Sequence, residues 1–233
     1  MFGKVAPITL SNHRNKKIRK VSDYAFAREF NLASIMVHEF SRAAATYPIV
    51  FVEDKTHDAF RPVVMLGLEQ KSNLFVQEGK WKASYIPAII RRYPFTLAKT
   101  TDEGKYALCI DEACELVNEE EGQPLFDEKG EPAELLVRAK QYLGELQQME
   151  AFTMDFSRYF AAKNLFTPLN MKLRQSNQMK SITGCYVINE ERLGNLSDEA
   201  FLEIRGRKFL APVYAHLVSV AQMEHLVQMR DEK

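Results

Sequence analysis

Residues 47–54 read YPIVFVED and residues 61–68 read RPVVMLGL. Both are short apolar runs rich in β-branched side chains and bounded by proline or charge, the pattern of two neighbouring buried strands. The loop between them holds Asp54, Lys55, Thr56, His57 and Asp58. Toward the C-terminus, Asn73 to Val76 predicts a third short strand, and Glu78-Gly79-Lys80 supplies a turn before Trp81. Ile86 to Tyr93 predicts a short helix with Pro87 in its first turn. Tyr93-Pro94 ends it, because the residue before a proline is driven out of the helical region. Phe95 to Lys99 and Tyr106 to Ile110 then alternate as strands around Asp102-Glu103-Gly104.

On the N-terminal side, Val5 to Leu10 predicts an edge strand, since Pro7 cannot donate to a central ladder. Phe26, Phe30, Ala33, Val37, Phe40 and Ala44 recur at spacings of three and four, which predicts a helix over Phe26 to Ala45, stopped by Tyr47-Pro48. Residues 111–131 are acidic and turn-rich and predict an exposed connector. Pro132 opens a helix, and Leu135, Ala139, Tyr142, Leu146, Met149, Thr153, Phe156 and Phe160 carry it in steps of four and three, with a soft break at Gly144. Leu169 to Leu173 and Thr183 to Ile188 predict strands separated by the polar run Gln175 to Ser181. Ser197 caps a short helix through Ile204, and Phe209 to Met229 predicts a terminal helix that tolerates Pro212 in its first turn. The order gives an α+β class: a mixed, mainly antiparallel sheet packed with a long central helix and a C-terminal helix, in a single domain over 1–233.

A chain of 233 residues, 46% hydrophobic, builds a core without covalent staples. Cys109, Cys114 and Cys185 are odd in number and contain no CxxC, which points to reduced thiols and away from a disulfide framework. The opening MFGKVAPITLSNHRNKKIRK lacks the order of a signal peptide. Charges interrupt every window before about 18 apolar residues accumulate, so no transmembrane segment is expected. The expected location is cytoplasmic. Net charge is zero but uneven: residues 1–50 carry eight Lys/Arg against three Asp/Glu, and residues 101–150 carry four against fourteen.

The Tyr47–Ala98 block, LCIDE at Leu108 to Glu112, LFDEKGEP at Leu125 to Pro132 and YAHLVSVAQMEHLV at Tyr214 to Val227 together resemble the bacterial SapC family, from about residue 5 to 228. The resemblance implies an association with surface-layer genes, outer-membrane receptors and flavin-dependent halogenase-like proteins. It implies no catalytic residues.

The residues themselves carry no catalytic or cofactor signature. The histidines at 13, 38, 57, 216 and 225 form no HExxH, HxD or HxH, so no metal site is expected. No GxSxG, GxGxxG or GxxxxGK[ST] occurs, and no cofactor is expected. Two candidate surfaces stand out. Arg91-Arg92, flanked by Tyr85 and Tyr93 with Trp81 nearby, can grip a carboxylate or phosphate beside an aromatic wall. Arg14, Lys16, Lys17, Arg19 and Lys20 place five cations in seven residues, able to meet phosphates of nucleic acid or of a membrane surface. Three functions stay open: a non-catalytic cytoplasmic binding or assembly factor with a protein partner, an enzyme or auxiliary subunit holding an anionic small molecule through Arg91 or Arg92, and a nucleic-acid-binding regulator using residues 14–20. Nucleic acid is the least supported partner, because no helix-turn-helix or ribonucleoprotein aromatic motif accompanies the cations. A homo-oligomer stays open as well.

Overall fold

A computed structural model describes residues 2–55, 59–101, 104–175 and 178–232, with backbone alone over 172–175 and 178–181. In chain order the strands are β1 (Val5–Pro7), β2 (Lys17–Ile18), β3 (Leu32–Ser34), β4 (Ile49–Asp54), β5 (Ala59–Met65), β6 (Val76–Gln77), β7 (Lys80–Trp81) and β8 (Phe95–Lys99). They continue with β9 (Tyr106–Asp111), β10 (Val117–Asn118), β11 (Gln123–Pro124), β12 (Phe166–Pro168), β13 (Met171–Gln175), β14 (Gln178–Ile182) and β15 (Cys185–Ile188). The helices are α1 (Leu10–His13), α2 (Phe40–Ala43), α3 (Ala88–Arg91), α4 (Glu134–Ala162), α5 (Glu190–Gly194), α6 (Asp198–Gly206), α7 (Leu210–Ser219) and α8 (Gln222–Asp231). The fold is α+β, as the residue patterns predict. Thr56, His57 and Asp58 of the expected loop, Asp102 and Glu103 of the expected turn, and Ser176 and Asn177 of the polar run lie outside the described residues.

The two apolar runs pair as β4 and β5 in the middle of a five-stranded antiparallel sheet, ordered β12-β15-β4-β5-β3. Ile49, Val50, Phe51, Val63 and Val64 are all buried, as continuous apolar runs require when both faces of a strand are covered. Phe156 and Phe160 of α4 stack with centroids 4.4 Å apart over this sheet, and Phe209 meets Phe156 edge-on at 5.1 Å. At 29 residues, α4 is about 43 Å long, enough to serve two cores. Its C-terminal half packs on the large sheet. Its N-terminal half, through Leu136, Leu143 and Leu146, packs with Ile18, Phe95, Ile110 and Leu125 beside a second antiparallel sheet, β1-β9-β8.

Several elements depart from the sequence expectation: β14 occupies much of the polar run read as a spacer at Gln175 to Ser181, the strand expected at Asn73 to Val76 is confined to Val76–Gln77, and Leu10 opens α1. The predicted helix over Phe26 to Ala45 is a 3-10 turn at Ala25–Ala27, strand β3, a second 3-10 turn at Val37–Glu39 and the short α2. The apolar positions Ala33, Val37, Phe40 and Ala44 are buried as their spacing demands, but β3 is captured by Val63–Met65 of β5, and edge pairing overrides the helical period. The terminal helix divides into α7 and α8 at Val220-Ala221, where the backbone tightens to i→i−3 bonds at 3.4 and 3.3 Å. Residues 111–131 are largely exposed, yet they are tied down: β10 and β11 both pair with β2, and Leu125 is fully buried.

Two buried polar side chains add directional bonds to elements that the apolar core already gathers. The first is His216 of α7. In the register Cys185↔Val52 and Tyr186↔Phe51, the next positions along β15 and β4 bring Ile188 opposite Ile49. There the imidazole sits between the strands: the Ile188 N–H donates to Nε2 at 3.0 Å, which leaves Nδ1–H to donate to the Ile49 carbonyl at 3.0 Å. Ser219 Oγ accepts from the Ile49 N–H at 3.0 Å, so α7 completes both backbone groups of one strand residue. Both ring nitrogens are used by the neutral form, and burial pushes His216 down to about 4 from 6.5, against the smaller opposing effect of the Ile49 carbonyl.

The second is Glu39, buried at the end of its 3-10 turn. Its Oε2 accepts from the Met36 N–H at 2.9 Å, and its Oε1 accepts from the Tyr85 hydroxyl at 2.7 Å and the Ala88 N–H at 2.8 Å. One carboxylate therefore fixes the turn, the Tyr85 side chain and the first residue of α3.

Both interactions are testable by urea unfolding. The unfolded chain takes up a proton on His216 near pH 6.5 that the folded chain refuses until about pH 4, so this stabilisation is complete above pH 6.5 and is lost on acidification. The stability advantage of wild type over His216→Gln is expected to shrink by roughly 2–3 kcal/mol between pH 7.5 and pH 4.5. An advantage independent of pH would refute a neutral buried imidazole. Glu39→Ala strands two buried N–H donors and is expected to cost roughly 3–5 kcal/mol, against about 1 kcal/mol for Tyr85→Phe. Equal losses would mean that the carboxylate serves only the tyrosine.

Candidate anion-binding cleft

Glu39 sets where α3 begins, and α3 runs directly into the two arginines that the sequence singles out. Arg91, Arg92, Tyr93, Pro94 and Phe95 form one wall of a cleft of about 650 Å³, a size suited to a single small molecule. Ile18, Arg19, Lys20 and Val21 form the second wall. The first turns of α4 form the third with Leu135, Arg138, Ala139, Tyr142 and Leu143, and Gly122 and Gln123 complete the lining. Five cations thus face one space, and the lining contains no carboxylate, imidazole or thiol among the described residues.

Arg92 is the half-buried member of the pair. Its Nε has no hydrogen-bond partner among the described residues, and its guanidinium lies 5.7 Å from the centroid of the Phe2 ring. Burial lowers its pKa, and the negative charge of Glu150 and the phenol of Tyr142 offset this only in part. Tyr142 Oη is likewise buried without a partner among the described residues. Burial raises its pKa, with Arg91 and Arg92 pulling the other way, so the phenol is a proton donor at neutral pH. Arg91 is exposed and steadied from below: its Nε donates to the Ile86 carbonyl at 2.9 Å, and its guanidinium lies 5.6 Å from the Tyr85 ring and 5.7 Å from the Tyr142 ring. Among the described residues neither Arg91, Arg92 nor Lys20 has a carboxylate at ion-pair distance, whereas Arg19 meets Glu121 at 3.3 Å and Arg138 meets Glu134 at 3.4 Å.

The aromatic candidates divide between lining and support. Tyr93 lines the cleft, but its hydroxyl donates to Asp111 at 3.2 Å and its ring stacks on Phe26 with centroids 4.4 Å apart. Burial opposes ionisation of Asp111, yet the N–H groups of Lys4, Gly3 and Ala113 and the Tyr93 hydroxyl outweigh it and hold the carboxyl below its usual range. Trp81 and Tyr85 stand outside the lining. The Trp81 indole donates to Tyr47 Oη at 2.8 Å, Tyr47 Oη donates to the Tyr85 carbonyl, and Tyr85 reaches Glu39. This chain of bonds braces the segment that delivers α3.

The basic run separates in the same way. Arg19 and Lys20 join the cleft, bringing the two sequence candidates into one site. Arg14, Lys16 and Lys17 turn toward the acidic segment: Lys16 pairs with Glu119 at 2.7 Å, Lys17 donates to the Glu120 carbonyl at 3.1 Å, and Arg14 donates to the Glu128 carbonyl at 3.4 Å. The excess charges of the two halves are thus complementary within the chain. Sequence reading places Tyr142 on the apolar seam of α4 but does not assign Arg138 or Tyr142 to a site. The available signal is the i, i+4 spacing of Arg138 and Tyr142, which puts a cation and a phenol on the face that also bears Leu135 and Ala139.

Among the described residues no group of three His, Cys, Asp or Glu is placed to hold a metal ion, and no helix is long and apolar enough to cross a membrane. Comparison with curated proteins gives no match, and comparison with solved structures gives none. The family model described as SapC matches residues 8–226, nearly the whole chain, and the chain therefore belongs to the SapC family.

Proposed function

We propose that this SapC-family chain is a non-catalytic binding or assembly factor that works in the cytoplasm and holds an anionic group of its partner in the Arg91–Arg92 cleft. One observation carries the reading: Lys20, Arg91 and Arg92 line one space with no carboxylate at ion-pair distance among the described residues, beside Arg19 and Arg138, each of which is paired with a glutamate outside the lining. A guanidinium without a partner, partly withdrawn from water, favours any oxyanion that replaces the lost hydration. General acid–base catalysis asks for a group that exchanges a proton near neutral pH. Arginine keeps its proton, and burial moves the phenols of Tyr93 and Tyr142 further from neutrality, so the lining favours capture over turnover. The nucleic-acid reading loses support because Arg14, Lys16 and Lys17 are engaged by the chain's own acidic segment and do not form an open phosphate track.

The test is an anion titration read by thermal unfolding. At low ionic strength, sodium tripolyphosphate is expected to raise the wild-type midpoint, the gain fading as salt approaches about 0.3 M. Arg91→Gln/Arg92→Gln is expected to lose most of the gain while keeping the wild-type midpoint in its absence to within a few degrees. Steady turnover of a metabolite by the purified protein, or an undiminished response in the double variant, would overturn the reading.

A further inference from the structure

We infer that the cleft takes a small amphiphilic oxyanion, a carboxylate or phosphate monoester with an apolar body, whose head group sits between Arg92 Nε and Tyr142 Oη and whose body lies along α4. The inference rests on the anion-binding reading and names its ligand class. Buried polar atoms in folded chains are nearly always paired, because an unpaired one costs its desolvation without return. Here Arg92 and Tyr142, whose side chains line different walls of the same cleft, each bury a donor that lacks a partner among the described residues. Only an acceptor satisfies both at once. Because the lining already carries a surplus of cations, an anionic acceptor is preferred to a neutral carbonyl.

The remainder of the lining determines the rest of the ligand. Val21, Leu135, Ala139 and Leu143 present hydrocarbon to the space beside the two donors. A bare inorganic anion leaves that surface in contact with water, and an apolar tail of several carbons covers it at a gain of about 0.8 kcal/mol per buried methylene. The three walls bound a volume that suits one small molecule and not an extended polymer. Arg91, held over the Tyr142 ring, adds positive potential at the mouth without occupying the anchor.

Calorimetric titration of the full chain with octyl phosphate, kept below its micellar concentration, tests this against inorganic phosphate as the head alone and octyl glucoside as an apolar body with a neutral head. Octyl phosphate is expected to bind one site at least tenfold more tightly than either control. Arg92→Lys, which keeps the charge but removes the Nε donor, is expected to weaken it about tenfold, and Tyr142→Phe, which removes only the hydroxyl, about three- to tenfold. Neither variant should alter the weak response to octyl glucoside. Inorganic phosphate binding as tightly as octyl phosphate would overturn the amphiphile inference and leave the anion-binding reading standing. Failure of every anion to bind, with tripolyphosphate also silent, would remove both. Flotation of the protein with phosphatidylglycerol vesicles, with monomeric octyl phosphate silent, would reassign the cations to a membrane surface and overturn the inference. Wild-type affinity in both Arg92→Lys and Tyr142→Phe would overturn the anchor.

Discussion

Glu39 puts a carboxylate where its residue is only 5% exposed and surrounds it with three donors, one from its own turn and two from the segment that opens α3. A carboxyl group at that depth is tolerable only because each donor replaces part of its hydration, so the donors and the group depend on one another. The turn at Val37–Glu39 is itself locked to α4, since the Val37 N–H donates to Thr153 Oγ1 at 3.0 Å and that hydroxyl donates onward to the Met149 carbonyl at 2.8 Å. A hydrogen-bonded path thus runs from the middle of α4 through Glu39 to the start of α3, and α3 places Arg91 and Arg92 opposite the first turns of that same α4. The cleft is a gap between two ends of one path, bridged at one point where the Arg91 guanidinium lies over the Tyr142 ring.

The opposite wall is fixed by charge. A run of five cations near the N-terminus is self-repelling, and an acidic segment rich in turns has little apolar surface to fold on. Each becomes orderable when laid on the other. Exposed pairs such as Lys16–Glu119 contribute little stability one at a time, but β2 has only two residues and is flanked by two strands equally short, so backbone bonds alone give it a weak register. The ion pairs and Leu125, inserted into the second core, select one alignment. That alignment sends Arg14, Lys16 and Lys17 to the acidic segment, and leaves Lys20 and Arg19, itself tied to Glu121 and the Glu115 carbonyl, lining the cleft.

What was legible in the sequence follows from which forces are local. The strands β4, β5, β8 and β9, the helix α4 and the cap at Ser197 were readable because periodicity, proline and capping act within a few residues. The failure at residues 26–45 has the opposite origin. Its spacing of apolar residues correctly marked what is buried, but a period of three to four does not say whether the chain is helical when a strand 30 residues away offers edge hydrogen bonds. The division between α7 and α8 was hidden for a related reason. Ser219 reads as an ordinary helical residue until its hydroxyl is required by the Ile49 N–H and bonds back to the His216 carbonyl at 2.6 Å, tightening the turn that follows. Of the candidate site, Arg91, Arg92, Tyr93, Arg19 and Lys20 were readable as chemistry, but their convergence was not, because about 70 residues separate the two groups.

Arg92 gives the binding proposal its most direct physical support. Three other buried polar groups are fully engaged: Glu39 has three donors, His216 uses both ring nitrogens, and Asp111 is held by backbone N–H groups at 2.7 and 2.9 Å. Arg92 Nε and Tyr142 Oη have no partner among the described residues, as Ser157 Oγ also has none, and the side chains of Arg92 and Tyr142 both line the cleft. A folding requirement alone would be met more cheaply by a methionine or leucine at position 92, which would fill the wall without desolvating a cation. The same replacement at Tyr142 by phenylalanine would remove an unsatisfied hydroxyl at no loss of packing. Under the anion-binding proposal one acceptor repairs both departures from full pairing, a return that packing alone does not supply.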